Sequence, residues 1–350
     1  MEKHRRSIHL LSAVLACTML FAAAASGCGG KSEGGSSSPA ASVSSDSDSS
    51  SSADSASPAA STEASHNDSS KIKPVHAFSD TSVGIRSDGT VVIAGNTGDN
   101  TILGMFDLDE VRAWDHLIDI EETYKVLAGL RDDGTVVYTL SKKLSVDPSI
   151  SQIAEWKDIV DIAVGLGFVA GLKSDGTVVT AGEDIGSEYS RTEDWRDIVS
   201  IDAQATAIMG VKANGTVVVS GFNLYDVETV TSWTDIADIS IGGSHVVGLK
   251  KDGTVVAAAR EDYYGECKVS GWNDITQIAA GGNLTLGLKS DGTVMATGLN
   301  DDGRCDVSDW NDIAAIDALG QSLGMKSDGT VVAVGNNVNN QCDVADWNLK

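Results

Sequence analysis

The residues with chemistry to offer are three late cysteines, six histidines and a set of acidic loop residues. Cys267, Cys305 and Cys342 each stand five residues before a tryptophan (Trp272, Trp310, Trp347), so they occupy one register in three successive units. A disulfide needs Cα atoms within about 7 Å, and equivalent positions of neighbouring units lie too far apart for that. They read as small buried thiols. Of the histidines, His4 and His9 lie in an N-terminal leader and His66 in a serine-rich stretch, while His76, His116 and His245 fall in different units with no shared spacing. No His-Glu-x-x-His helix, Gly-x-Ser-x-Gly elbow or phosphate-cradling glycine loop is present in the sequence. Asp226, Asp262, Asp301 and Asp302 have the chemistry of a general acid and base for a hydrolase or lyase, or of calcium ligands, but not the spacing. The expectation is therefore no enzyme, no metal and no cofactor.

The N-terminus carries a different kind of chemistry. Lys3, Arg5 and Arg6 precede an apolar run from Ile8 to Ala25, which leads into Ala25-Ser26-Gly27-Cys28. A short apolar region with small residues at its end marks a signal peptide. The tetrapeptide resembles a bacterial lipobox, with Ala25 where leucine is usual, and the resemblance implies lipidation of Cys28. Residues 29–70 are mostly Ser, Ala, Gly and Asp, too poor in large apolar groups to offset their ordering entropy. The organisation expected is 1–27 signal peptide, 28–70 lipid-anchored linker and 71–350 folded domain. The chain would be extracytoplasmic, held to the bacterial cell membrane by acyl chains alone, or secreted if Cys28 is not lipidated. A formal charge of −25 opposes nucleic-acid binding, which rests on Lys and Arg neutralising phosphates.

The elements that position these residues are repeats. Asp-Gly-Thr or Asn-Gly-Thr begins at 88, 133, 175, 214, 252, 291 and 328, and tryptophan recurs at 114, 156, 195, 233, 272, 310 and 347. Short β-branched runs alternate with glycine-rich turns, and no apolar spacing sustains a helical period. Asp-Gly suggests a two-residue type I′ hairpin turn. In the repeat around residues 275–307 the pattern predicts strands at Ile275–Ala279, Thr285–Lys289, Thr293–Thr297 and a short fourth at Cys305–Val307. Seven such units closed in a ring make an all-β fold, a seven-bladed β-propeller, expected to be a monomer.

The run from Trp233 through Gly242-Gly243-Ser244-His245 to Asp252-Gly253-Thr254-Val255 is similar to the repeat of the regulator of chromosome condensation family, as is Gly335 to Cys342. The likeness spans residues 71–350, except that Ser69 replaces tryptophan ahead of the first unit. Trp347, at the far end, is placed to fill that gap. The family's eukaryotic founder is an exchange factor for a nuclear GTPase and binds chromatin, which neither the leader nor the charge supports here. Secreted bacterial members that resemble this repeat inhibit β-lactamases with one propeller face, so the resemblance implies a scaffold for binding rather than a named partner.

The two faces of such a ring differ in sequence. Two residues before each Asp-Gly turn stands a base: Arg86, Arg131, Lys173, Lys212, Lys250, Lys289 and Lys326. These make either a cationic ring for an anionic polymer or, as the better reading, ion pairs with repeat carboxylates such as Asp158, Asp197, Asp235, Asp274 and Asp312. The opposite face carries the unequal loops and nine aromatics at loops or their edges: Phe78, Phe106, Tyr124, Phe168, Tyr189, Phe222, Tyr225, Tyr263 and Tyr264. Of these, Phe106, Phe168, Tyr189, Phe222, Tyr225, Tyr263 and Tyr264 are the expected partner-binding residues. The partner expected is an extracellular protein, with a cell-wall glycan as the alternative.

Overall fold

The β-branched runs form seven antiparallel three-stranded sheets, the blades of a β-propeller. The computed structural model describes residues 73–98, 101–183, 192–221 and 226–350. Blade 1 holds β1 (Val75–Ala77), β2 (Thr81–Ile85) and β3 (Val91–Gly95), and blade 2 holds β4 (Leu117–Glu122), β5 (Val126–Arg131) and β6 (Val136–Leu140). Blade 3 holds β7 (Ile159–Gly165), β8 (Phe168–Lys173) and β9 (Val178–Gly182), and blade 4 holds β10 (Ile198–Gln204), β11 (Ala207–Lys212) and β12 (Val217–Gly221). Blade 5 holds β13 (Ile236–Ile241), β14 (His245–Lys250) and β15 (Val255–Ala259), and blade 6 holds β16 (Ile275–Ala280), β17 (Leu284–Lys289) and β18 (Val294–Gly298). Blade 7 holds β19 (Ile313–Ala318), β20 (Gln321–Lys326) and β21 (Val331–Gly335). At six of the seven seams the first strands meet their counterparts in neighbouring blades, so they form the inner wall.

The expected fourth strand does not form among the described residues. Cys305–Val307 is a turn, and in other blades the same stretch is a short helix or 3-10 turn, such as α1 (Leu108–Arg112) and α2 (Val227–Ser232). The cause is local and repeats seven times. Each tryptophan N–H donates to the carbonyl three residues earlier, as in Trp310 to Val307 at 3.0 Å and Trp347 to Val344 at 3.0 Å. That closed turn drops an apolar side chain (Val111, Ile153, Val230, Val269, Val307 or Val344) into the core in six blades and the buried Thr192 in the seventh, and consumes donors that a fourth strand would need.

The tryptophans pack as expected, six of them buried and Trp156 half-buried. Each ring lies across a glycine in the middle strand of the following blade. A Cβ built on Gly287 would come 2.7 Å from Trp272, and one on Gly171 would come 3.0 Å from Trp156. Blade 1 takes its tryptophan from the other end of the chain: a Cβ on Gly84 would meet Leu349 at 2.8 Å and Trp347 at 2.9 Å. Ser87 N–H donates to Leu349 O at 2.7 Å and Leu349 N–H to Gly329 O at 2.9 Å, so the C-terminal segment closes the ring.

The Asp-Gly turns make hairpins, but not of type I′. In each turn only the glycine has positive φ (77° at Gly89, 80° at Gly292). Gly292 N–H donates to Lys289 O at 3.0 Å, and Lys289 N–H donates to Thr293 O at 2.9 Å. This is a three-residue loop ending in a left-handed glycine. Threonine belongs to the turn because Asp291 Oδ1 accepts from both Thr293 N–H (3.0 Å) and Thr293 Oγ1 (2.6 Å).

Candidate functional site

Binding on a propeller needs side chains that the blades hold outward. Tyr263 and Tyr264 meet that condition, 74% and 50% exposed, on the connection from β15 to Trp272. Their loop is fastened from within by Glu266, which is fully buried. Its carboxylate accepts from Tyr264 N–H at 2.9 Å and from Ser244 Oγ at 3.1 Å. Asp262 accepts from Cys267 N–H at 3.2 Å, and Thr297 Oγ1 donates to Gly265 O at 2.8 Å. His245 completes the support. Thr285 Oγ1 donates to Glu266 O at 2.8 Å, so its lone pair receives the proton of His245 Nε2, also 2.8 Å away. Burial pushes the His245 imidazole down to about 4, which keeps it neutral. This histidine is a hydrogen-bonding link between blades 5 and 6. Exposed apolar residues on other third-strand connections of this face are Leu144 (39%) and Val338 (87%).

Two of the expected surface residues are corrected. Phe106 is 2% exposed and packs with Leu103, Val111 and Trp114, and Phe168 is 1% exposed among Ala163, Leu172 and Trp195. Phe78 is likewise buried, at 5%. Loop position alone did not decide their direction: the gap between neighbouring blades is apolar and takes an aromatic side chain wherever one is in reach. Tyr189, Phe222, Tyr225 and the lipidation candidate Cys28 lie outside the described residues.

The basic residues before the turns do not pair with Asp158, Asp197, Asp235, Asp274 or Asp312. Those aspartates sit at φ 59–61°, reversing the chain between tryptophan and first strand. Lys173 and Lys289 approach their own turn carboxylates (Asp175 at 3.9 Å, Asp291 at 3.7 Å), and Arg131 pairs with Asp115 at 3.1 Å. The expected ion pairs are thus replaced by local ones at three of the seven positions, and Arg86, Lys212, Lys250 and Lys326 have no carboxylate within 4.0 Å among the described residues. The three thiols are free and half-buried rather than fully buried. Burial pushes Cys267 up to about 12 and Cys305 and Cys342 up to about 11, far from thiolate reactivity.

The inner wall holds a polar system whose residues belong to no spaced motif. A bulge near the start of each first strand in blades 2–7 (Leu117/Asp119, Ile275/Gln277 and equivalents) lets the first and fourth residues both face the core. The third and fifth then belong to the opposite, axial side, and they bridge neighbouring blades. Asp161 accepts from Ile201 N–H at 3.3 Å, Asp202 from Ile241 at 2.7 Å, and Ser240 from Ala280 at 3.0 Å. Gln277 accepts from Ile316 N–H at 3.0 Å, and Asp317 from Ala77 at 2.7 Å. Burial raises Asp119 to about 7 and Asp202 and Asp317 to about 6, and holds Glu121 well above the usual carboxylate range. Burial works against the Lys73 ammonium, but Glu121, Asp119, Asp202 and Asp161 outweigh it and hold lysine well above its ordinary value. A register comparison of first strands would have found these positions, because polar residues recur there inside apolar runs.

Fold and site together define a ring-closed propeller of short repeats with a regular turn face and an irregular, partly aromatic one. Residues 275–304 match the regulator of chromosome condensation (RCC1) repeat. No curated protein matches the chain. Among solved structures, the chain is similar to the ectodomain of the Physcomitrella patens receptor kinase CR4 (TM-score 0.57, 16% identity, 75% of this chain and 72% of that one). It is also similar to the CRINKLY WD40 ectodomain of the Arabidopsis thaliana receptor kinase ACR4 (0.54, 16%, 80% and 98%). A third likeness is to Prp20p from Saccharomyces cerevisiae (0.54, 14%, 81% and 88%). At these identities the likeness establishes the propeller fold.

Proposed function

We propose that this chain is a non-catalytic binding module, displayed outside the cell on a lipid anchor at Cys28, that recognises a protein through the irregular face of its propeller. The observation that carries the reading is the exposed pair Tyr263–Tyr264 on a loop fastened by the buried Glu266. Two large aromatics held outward at little ordering cost are the composition of a protein-binding hot spot. Exposed Glu261 and Asp262 flank the pair, so the matching partner surface is an apolar pocket rimmed by Lys or Arg. The fold supports a scaffold role: the yeast propeller Prp20p is described by its binding to Gsp1p and histones.

Affinity capture with the purified protein, followed by titration of the captured partner, tests this. Tyr263→Ala/Tyr264→Ala should weaken binding about 30-fold, the scale of one hot spot, and rising salt should slow association. The reading fails if the double variant binds as the parent does while Lys250→Glu/Lys289→Glu abolishes binding. A glycan-array signal lost on the tyrosine double variant, with no protein captured, would reassign the face to a carbohydrate.

A further inference from the structure

We propose that His76, Asp119 and Glu121 form a binding site for a divalent transition-metal ion on the inner wall, at the seam between blades 1 and 2. His76 lies on β1, and Asp119 and Glu121 lie on β4. One donor atom from each lies within 4.8 Å of the other two. The histidine is 2% exposed and its Nε2 has no hydrogen-bond partner. That atom stands 3.6 Å from Asp119 Oδ1, beyond hydrogen-bonding reach.

The imidazole's other nitrogen accounts for this geometry. The ring bonds to the Lys73 backbone, and with Nε2 unpartnered that bond belongs to Nδ1. Nδ1 therefore carries the proton and Nε2 presents a lone pair. A lone pair facing two carboxyl groups is repulsive unless a proton or a metal cation lies between them. Ligand atoms on a tetrahedral zinc are about 3.3 Å apart for bonds near 2.0–2.1 Å, so the 3.6 Å gap closes with a small shift. Fixing a ligand histidine through Nδ1–H to a backbone carbonyl is the usual outer-shell arrangement.

The register of the ring says what the ion does. At five other seams an axial side chain accepts from a backbone N–H of the next blade. At the seam of blades 1 and 2 His76 stands in the register of Asp202 and Asp317, where Nε2 makes no such bond. A metal shared by β1 and β4 supplies the missing cross-link. Lys73 adds one positive charge among Glu121, Asp119, Asp202 and Asp161, leaving that group net negative when ionised. One imidazole with two carboxylates suits zinc or manganese, whereas calcium takes six to eight oxygens.

Zinc titration of the chelator-treated full chain, with calcium as control, tests the assignment. One equivalent of Zn²⁺ per chain should bind saturably, and His76→Gln and Glu121→Gln should each weaken it about tenfold or more. X-ray absorption of the zinc-loaded parent should show nitrogen and oxygen only, a measurement that stands even if a variant fails to fold. Absence of stoichiometric binding, affinity unchanged in both variants, or sulfur in the zinc shell would overturn the site. None of these outcomes depends on the tyrosine face.

Discussion

Asp202 and Asp317 show how single residues tune the ring. Both accept backbone N–H groups of a neighbouring blade, from Ile241 and Ala77, and both face Lys73; Asp238 also faces Asp202. Burial still dominates and raises each from 3.8 to about 6. The folded state thus holds these protons more tightly than the unfolded chain, so their contribution to stability falls as pH rises from about 4 through 6. Asp202→Asn and Asp317→Asn keep an acceptor oxygen and remove the charge. Each should flatten the loss of melting temperature between pH 4.5 and 8 in chelating buffer, as read by calorimetry; an unchanged slope would show that these groups titrate normally. Neither residue belongs to a spaced motif. They are legible only as polar exceptions in an apolar strand, and their partners are backbone groups about 40 residues along the chain or across the ring closure.

At the scale of the element, the repeat is a hairpin, an inner strand and a tryptophan clamp. Three strands per blade were legible, because Val-rich runs and Asp-Gly-Thr signal both strands and turn. The fourth was not, since Cys305–Val307 looks like a strand in isolation yet closes as a turn beneath Trp310. The clamp makes a sharp prediction. Gly287→Ala places a methyl 2.7 Å from Trp272 and should cost about 1–3 kcal/mol of stability by urea unfolding. Gly320→Ala, where the nearest atom is Asn336 Nδ2 at 4.0 Å, should be close to neutral. Equal effects would mean that the indole moves aside freely. The same packing explains Phe106 and Phe168, which lie beside loops in sequence but fall within reach of the inter-blade core.

For the whole molecule, closure and anchoring are the properties at issue. Trp347 and Leu349 tie the last blade to the first, so Trp347→Ala removes both a buried ring and the seal. It should cost about 3–5 kcal/mol, the range for core aromatic truncation, and broaden thermal unfolding. Trp114→Ala, within the chain, removes a similar ring without opening the closure, and equal broadening in both would argue against a special closing role. Anchoring is testable apart from the fold. The mature chain should partition into detergent or membrane, and Cys28→Ser should release it to the aqueous phase. Parent protein already in the aqueous phase would remove the anchor.

The sequence alone determined the repeat, its period and the core tryptophans, because these depend on patterns within about 40 residues that recur seven times. The closure through Trp347 and Leu349 joins the two ends and was decided by the tertiary structure. Only the tertiary structure decided which aromatics face out and what the basic residues pair with. It alone brought His76 to Asp119 and Glu121. The reason is physical: a side chain's direction and a buried charge's partner are set by the neighbouring blade, and a single repeat does not contain its neighbour.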